Sequence, residues 1–361
     1  MTPLATPPLG KQPARGQWRD WRSWPIAVKL NILLLLAASV LFGAMSLVLS
    51  QRMGRALESD GLATMERLAQ VNVDMIDAYG HSLEANVNRL AQVFAAGFAD
   101  GLTVDETTRV DVGGRQTPLL RHGRTQLNLD TTAVDRFQEI TGSVATVFVR
   151  QGDDFIRVST SLKNKNGQRA LGSTLDRAHP AYAKVLAGQP YLGKAGLFGR
   201  DYMTKYLPFR NSAGRVSGLL FIGIEFTDGL KDLKDKIRAT RFGAGQVYVI
   251  DAGEGSEQGT LVVHARDEGR NVLDARDPDG RRYIREMVEL KTGTLQYGEK
   301  GEGNKPTRAR IVVFKHYPEW NWIVASDNYL DDFSALSRTL RQQLAIAVGA
   351  TVVLLLALAF A

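Results

Sequence analysis

The chain has 361 residues, with 45 Lys and Arg against 38 Asp and Glu, 44% hydrophobic residues and no cysteine. That length allows two or three domains, and the missing thiols exclude disulfides, Cys-ligated metals and thiol nucleophiles. The surplus charge is no nucleic-acid footprint: five basic residues face Asp20 alone in positions 1–29, and beyond them 40 basic residues are interspersed with 37 acidic ones.

The basic arm, residues 1–25, contains Trp18, Trp21 and Trp24, a composition suited to a membrane interface. Ile32 to Ser50 then runs 19 residues without a charge, close to the ~20 that cross ~30 Å of hydrocarbon. The apolar run is too long for a signal-peptide core and no A-x-A site follows, so the segment at 26–50 reads as an uncleaved first span. Basic residues stay in the cytoplasm. The N-terminus is therefore expected inside, and residues 51 to 341 outside, in the periplasm of a cell with an outer membrane. Leu344 to Ala361 supplies a second uncharged stretch, a span expected at 342–361.

After the first span, Met65, Leu68, Val71, Met75, Tyr79, Leu83, Val87, Leu90 and Phe94 recur at steps of three and four. This predicts a long amphipathic helix over 51–100. Its stripe suits either the chain's own domains or a second copy, and a homodimer is expected.

A module then occurs twice, about a hundred residues apart. TVFVRQGDDFIRVST (146–160) and QVYVIDAGEGSEQGTLVVHA (246–265) are each two β-rich runs around a turn. A short helix follows, with Tyr182 in one copy and Tyr283 in the other. Strand clusters close both copies, at 202–226 around NSAG and at 308–328 around YPEW. The period is too long for a solenoid unit and marks a duplicated domain. The fold class is α+β: a long helix with two stacked lobes, over 101–236 and 237–341, each an antiparallel sheet with flanking helices.

These residues resemble the Cache 3/Cache 2 fusion, a double, PAS-like sensor module. The first copy, ATVFVRQGDDFIRVSTSL through HPAYAKVLAGQPYLGKAGLFGRDYMTKYLPF to GRVSGLLFIGIEF, is similar to its first lobe. The second, GQVYVID through GRNVLDARDPDGRRY to PEWNWIVASDNYLDDF, is similar to a Cache 2 lobe. The resemblance implies a small-molecule pocket in one lobe and signalling by helix displacement. Its commonest carriers are bacterial methyl-accepting chemotaxis proteins; others are histidine kinases and diguanylate cyclases, and a tethered binding protein is a further reading. Carriers continue beyond the second span into a cytoplasmic output region. The sequence ends at Ala361, so cytoplasmic partners are expected only through a region outside it. Amine-recognising double-Cache receptors carry an Arg-x-Trp-Tyr element; the sensor region here has no Arg-x-Trp, which argues against free amino acids.

No catalytic motif is present: the five histidines are scattered, and H-E-x-x-H and G-x-S-x-G are absent. GQPYLGKA at 188–195 spells part of a phosphate-binding loop, but Ala195 cannot ligate Mg²⁺ and the flanking elements read as helix then strand, the reverse of that motif. ARDPDGRRYIRE at 275–286 nearly spells a calcium loop, yet Ala275 stands where an acidic ligand is required, so a turn is expected. No cofactor and no metal are expected.

In the first lobe, alternation along FIRVSTS places Phe155, Arg157, Ser159 and Ser161 on one face, and along YMTKY places Tyr202, Thr204 and Tyr206 on one face. With His179 and Lys194 nearby, Arg157, Ser159, His179, Lys194, Tyr202, Thr204 and Tyr206 form the candidate site. Cations beside hydroxyls on an apolar floor suit a small organic acid anion. Trp320 and Trp322, in W-x-W, are expected to share a strand face and pack in the second core.

Overall fold

The computed structural model describes residues 25–301, 306–332, 342–343, 345–350 and 353. The basic arm lies outside them, as does most of the stretch expected to form the second span. The chain divides into a unit of residues 65–328 and a unit of the two terminal segments, 1–64 and 329–361. Helix α1, Ile26–Ala96, is 71 residues long. Its segment Lys29–Leu49 has a mean hydropathy of 2.6 and, among the described residues, is the one helix long and apolar enough to cross a membrane.

Within residues 65–328, strands β1 (Leu102–Val112), β2 (Arg115–His122) and β3 (Thr125–Gln126) form a small antiparallel sheet. No periodicity announces it, because β1 is largely polar and its pairing with β2 shifts between Asp105 and Arg109. Buried Asn128 ties the sheet down: its Oδ1 accepts from the Leu120 amide at 2.7 Å, and its Nδ2 donates to Thr117 Oγ1 and the Pro118 carbonyl.

The first lobe follows: α2 (Thr132–Thr141), β4 (Val144–Gln151), β5 (Asp154–Thr160), α3 (Pro180–Leu186), β6 (Tyr191–Leu197), β7 (Arg200–Arg210) and β8 (Val216–Glu225). α2 ends at Gly142, whose left-handed φ of 72° lets its amide close on the Gln138 carbonyl. α4 (Thr227–Ala239) leads to the second lobe: β9 (Arg241–Phe242), β10 (Gly245–Asp251), β11 (Leu261–Val263), α5 (Tyr283–Leu290), β12 (Gly293–Glu299), β13 (Arg308–Tyr317) and β14 (Trp322–Tyr329). The first sheet runs β5-β4-β8-β7-β6 and the second β11-β10-β14-β13-β12, with β9 added to β10. The two orders are the same, so the repeat in sequence is a repeat in topology.

Each sheet buries two faces. In the first, Ala145, Val147, Val149, Val158, Met203, Leu220 and Ile222 meet Ile76, Leu83, Val87 and Phe94 of α1 and Val134 and Phe137 of α2. Val247, Val249, Trp320, Trp322 and Val324 of the second lobe join that same core. The apolar stripe of α1 is thus committed to its own chain: Met65, Leu83, Val87 and Phe94 are buried, Leu68, Met75, Tyr79 and Leu90 half-buried, and Val71 is exposed. The opposite face of the first sheet packs Val144, Phe148, Phe155, Tyr206, Leu219 and Phe221 under α3 and the loop before it.

The tryptophans depart from expectation. Trp320 closes a 3-10 turn, Pro318–Trp320, and only Trp322 is on β14; Asn321 between them has a left-handed φ of 51°. Both join the core shared by the lobes, their rings edge to face at 4.8 Å. At 275–286 a turn forms as expected: Asp277 Oδ1 accepts from the Asp279 and Arg281 amides, and Glu286 pairs with Arg281. No cluster of three potential metal ligands occurs among the described residues.

Candidate ligand-binding site

Arg157 lies on β5, on the face under α3, and is 5% exposed. One guanidinium nitrogen donates to Ser173 Oγ at 2.8 Å and to the Thr174 carbonyl at 3.4 Å. Its Nε is buried without a partner, and the guanidinium carbon sits 4.8 Å from the centroid of the Phe148 ring. Among the described residues no carboxylate forms an ion pair with it. Burial pushes its pKa below the ordinary arginine value, with Tyr206 acting in the opposite sense, yet a guanidinium stays charged. A cation left in that state is a strong anion-binding element.

The second lobe handles its buried cation differently. Arg310, 8% exposed, lies 3.3 Å from Asp327 and 3.2 Å from Glu299. Its charge is balanced inside the protein.

Around Arg157 the first lobe gathers rings. His179 caps α3: Nδ1 accepts from the Ala181 amide at 3.1 Å, and Pro180 fills the first helical position, where no amide is needed. That bond fixes the proton of the neutral imidazole on Nε2. Burial lowers the His179 pKa and Arg157 adds to the effect, against Asp176, so the ring is neutral at pH 7. Its ring lies 5.6 Å from that of Tyr191 and 6.0 Å from that of Tyr206. Tyr206 is fully buried on β7, its phenol pushed up to about 12 by burial, and it packs at 4.8 Å on Phe221. The group is one fixed cation, one imidazole N–H and two phenols over Phe148, Phe155 and Phe221. It can neutralise a carboxylate and seat an apolar body.

The seven predicted residues do not all meet there. Arg157, His179 and Tyr206 do. Tyr202 and Thr204 share the Tyr206 face, but the Thr204 hydroxyl is spent on the Gly193 carbonyl at 2.8 Å. Ser159 does not join them. Phe148 pairs with Arg157 while Val147 pairs with Ser159, so one residue bulges out of β5 and the alternation inverts. Ser159 then faces α2 and donates to the Asp130 carbonyl at 2.5 Å. Lys194 is also elsewhere. It pairs with Met203 on the opposite face of the sheet, and its Nζ lies 4.5 Å and 4.9 Å from the rings of Trp320 and Trp322. Burial lowers it to about 8, against the pull of Asp251 and Asp201. Tyr191 and Phe148 were missed by the sequence reading; the period-two relation of Tyr191 to Gly193 and Ala195 is the signal that finds the first.

The Cache 3/Cache 2 fusion domain model matches residues 51–343. No curated protein matches the chain. Among solved structures, the ligand-binding domain of the Campylobacter jejuni chemoreceptor Tlp3, in complex with L-valine, is 9% identical over 78% of this chain and 98% of its own, with a TM-score of 0.45. The extracellular domain of a putative histidine kinase is 10% identical over 76% of this chain and 99% of its own, TM-score 0.47. A methyl-accepting chemotaxis protein from Vibrio parahaemolyticus is 21% identical over 29% of this chain and 73% of its own, TM-score 0.25.

Proposed function

Because the chain belongs to the Cache 3/Cache 2 fusion domain family, we propose that residues 51–343 are the ligand-sensing region of a transmembrane chemoreceptor whose first lobe takes up a small organic acid anion. One observation carries the choice of ligand: the buried Arg157 guanidinium has two hydrogen bonds to its own lobe and, among the described residues, no acidic partner. The anion completes that site. His179 Nε2–H and the Tyr206 hydroxyl supply neutral donors, and Tyr191 forms the wall beside them. The basic arm and the Lys29–Leu49 segment support an N-terminus in the cytoplasm and sensor lobes outside.

A thermal-shift screen of organic acids, amino acids, purines and polyamines on the full chain in detergent tests the ligand class. A bound acid raises the melting temperature by mass action. Hits confined to cations or neutral compounds rule the proposal out.

The charge that holds the anion sets the pH profile. Arg157 does not titrate, His179 is already neutral and the Tyr206 phenol is up near about 12, so affinity should stay level from pH 7 to pH 9.5. A site built on Lys194 behaves otherwise: its ammonium, at about 8, loses its proton across that range and affinity falls with it. Calorimetry at half-unit pH steps distinguishes the two.

The receptor acts as a homodimer through the solvent-facing side of α1. Because Leu68 and Met75 are turned inward, cysteines at exposed Val71 and Ala78 should crosslink in membranes more than cysteines at Leu68 or Met75. Equal crosslinking at all four removes the case for that face. Fusing the chain to the signalling region of a working chemoreceptor tests the output: a gradient of the acid should bias swimming.

A further inference from the structure

Strand β6 presents different chemistry on its two faces. One carries Tyr191, its ring 6.1 Å from Tyr206 in the candidate site. A Cβ at Gly193 would meet the Tyr191 hydroxyl, so the glycine is what lets that ring lie along the strand. The other face carries Lys194, three residues further on. Its Nζ lies against both Trp320 and Trp322 of the second lobe, and among the described residues neither a hydrogen bond nor an ion pair reaches it. Asp201 on β7 and Asp251 on β10 are the acidic groups near enough to act on it.

Trp320 passes the contact on. Its ring stands 4.8 Å from Trp322, 6.0 Å from Phe226 at the start of α4, and 6.4 Å from Tyr79 of α1. The backbone of Gly80 lies under the same indole, where a Cβ would sit 3.6 Å from the ring and 3.0 Å from the Tyr317 hydroxyl. A single strand thus joins the candidate site to an aromatic cluster shared by the second lobe and α1.

We propose that Lys194 is a latch between the lobes, holding Trp320 and Trp322 against β6 so that a displacement of Tyr191 at the ligand site reaches the second lobe and α1. The starting point of this route rests on the reading of the first-lobe site above. An ammonium between two indole faces is a directional contact that neither lobe can make alone, and coupling between sites requires such an element with a made and an unmade state.

The test needs no ligand, so failure of the organic-acid screen and failure of the latch are separate results. Hydrogen exchange is followed on the full chain in lipid nanodiscs, at segments 317–323 and 76–84. Lys194→Met should speed exchange there by about five- to thirtyfold, the loss expected for a desolvated cation–π contact. Lys194→Arg, which keeps a cation over the rings, should exchange as the parent does. Lys194→Gln replaces the methionine variant if that one does not fold. Tyr191→Leu, on the far face of the strand, should speed exchange at 317–323 when Lys194 is present and add nothing in the Lys194→Met background. Unchanged exchange in Lys194→Met, or an equal effect of Tyr191→Leu in both backgrounds, overturns the latch.

Discussion

Replacing Arg157 by methionine should abolish anion binding and, in the same variant, raise the melting temperature of the ligand-free protein. The two effects share one cause. Arg157 is 5% exposed and has no acidic partner among the described residues. Its hydrogen bonds to Ser173 and Thr174 and its place over Phe148 recover only part of the hydration it gave up. A buried ion without a counter-ion costs several kcal/mol. Methionine fills the space with no charge to desolvate, and Ser173 keeps its own bond to the Ala170 carbonyl at 2.5 Å. We expect the first lobe to gain about 1–3 kcal/mol, a rise of several degrees. Binding goes the other way. The carboxylate of the ligand would enter a buried site with no cation, and breaking a buried pair costs about 3–5 kcal/mol, or a loss of about a hundredfold or more in affinity. Arg157→Lys keeps the charge and loses the planar fork, and should fall between the two. Thermal melts without ligand and calorimetry with the acid found in the screen measure both arms. A variant that melts lower than the parent and binds as well makes Arg157 a structural residue and removes the site. A gain in stability from losing a side chain is what a binding residue shows when it is held ready for a ligand.

The architecture was far more legible than the site. The duplicated order of strands, short helix and strand cluster is carried by apolar runs and by turns such as Gly152-Asp153-Asp154, and these local signals map directly onto β4–β8 and β10–β14. The candidate site depends on which face each side chain takes. For Ser159 that was decided by a bulge in the pairing of β5 with β4, which no residue of FIRVSTS announces. For Lys194 the information was available. Alternation along YLGKA sets Tyr191 and Lys194 on opposite faces, and pairing with Met203 rather than Tyr202 or Thr204 completes the argument. What the sequence could not show is that two tryptophans more than a hundred positions away would cover the amine. The small sheet at 102–126 escaped because β1 is largely polar and exposed, and the buried stretch of β2 is four residues long and holds a proline, so neither strand shows a sustained period of two in hydropathy.

In the second lobe, Asp327→Ala should destabilise the fold by about 3 kcal/mol, while exchanging Asp327 and Arg310 together for leucine and methionine should be close to neutral. Asp327 is 1% exposed, and its carboxylate meets Arg310 and the Tyr297 hydroxyl, both at 3.3 Å, and the Gln246 amide at 3.2 Å. Taking away the acid alone leaves a buried guanidinium without its buried counter-ion, with Glu299 beside it at 3.2 Å. Taking away both ions removes their joint desolvation, which is the larger part of the balance. Burial raises the Asp327 pKa in the folded chain despite the lowering by Arg310. The sign of the pH effect follows. A carboxyl whose folded pKa lies above its unfolded value holds its proton more tightly in the native state, so this group favours the fold as pH falls through the window above about 3.8 and disfavours it as pH rises. Asp327→Asn cannot titrate and should lose that slope, at a smaller cost at neutral pH than Asp327→Ala because the amide oxygen still accepts from Gln246. Urea unfolding of the parent, Asp327→Ala, Asp327→Asn, Asp327→Leu, Arg310→Met and the leucine–methionine pair, at pH 4.5 and pH 7, supplies the full double-mutant cycle. A pair variant as unstable as Asp327→Ala would mean that the charges themselves hold the second lobe together. A pair variant near the parent would mean that the lobe tolerates its buried ions rather than depending on them, whereas among the described residues the first-lobe guanidinium of Arg157 has no such partner to balance its desolvation.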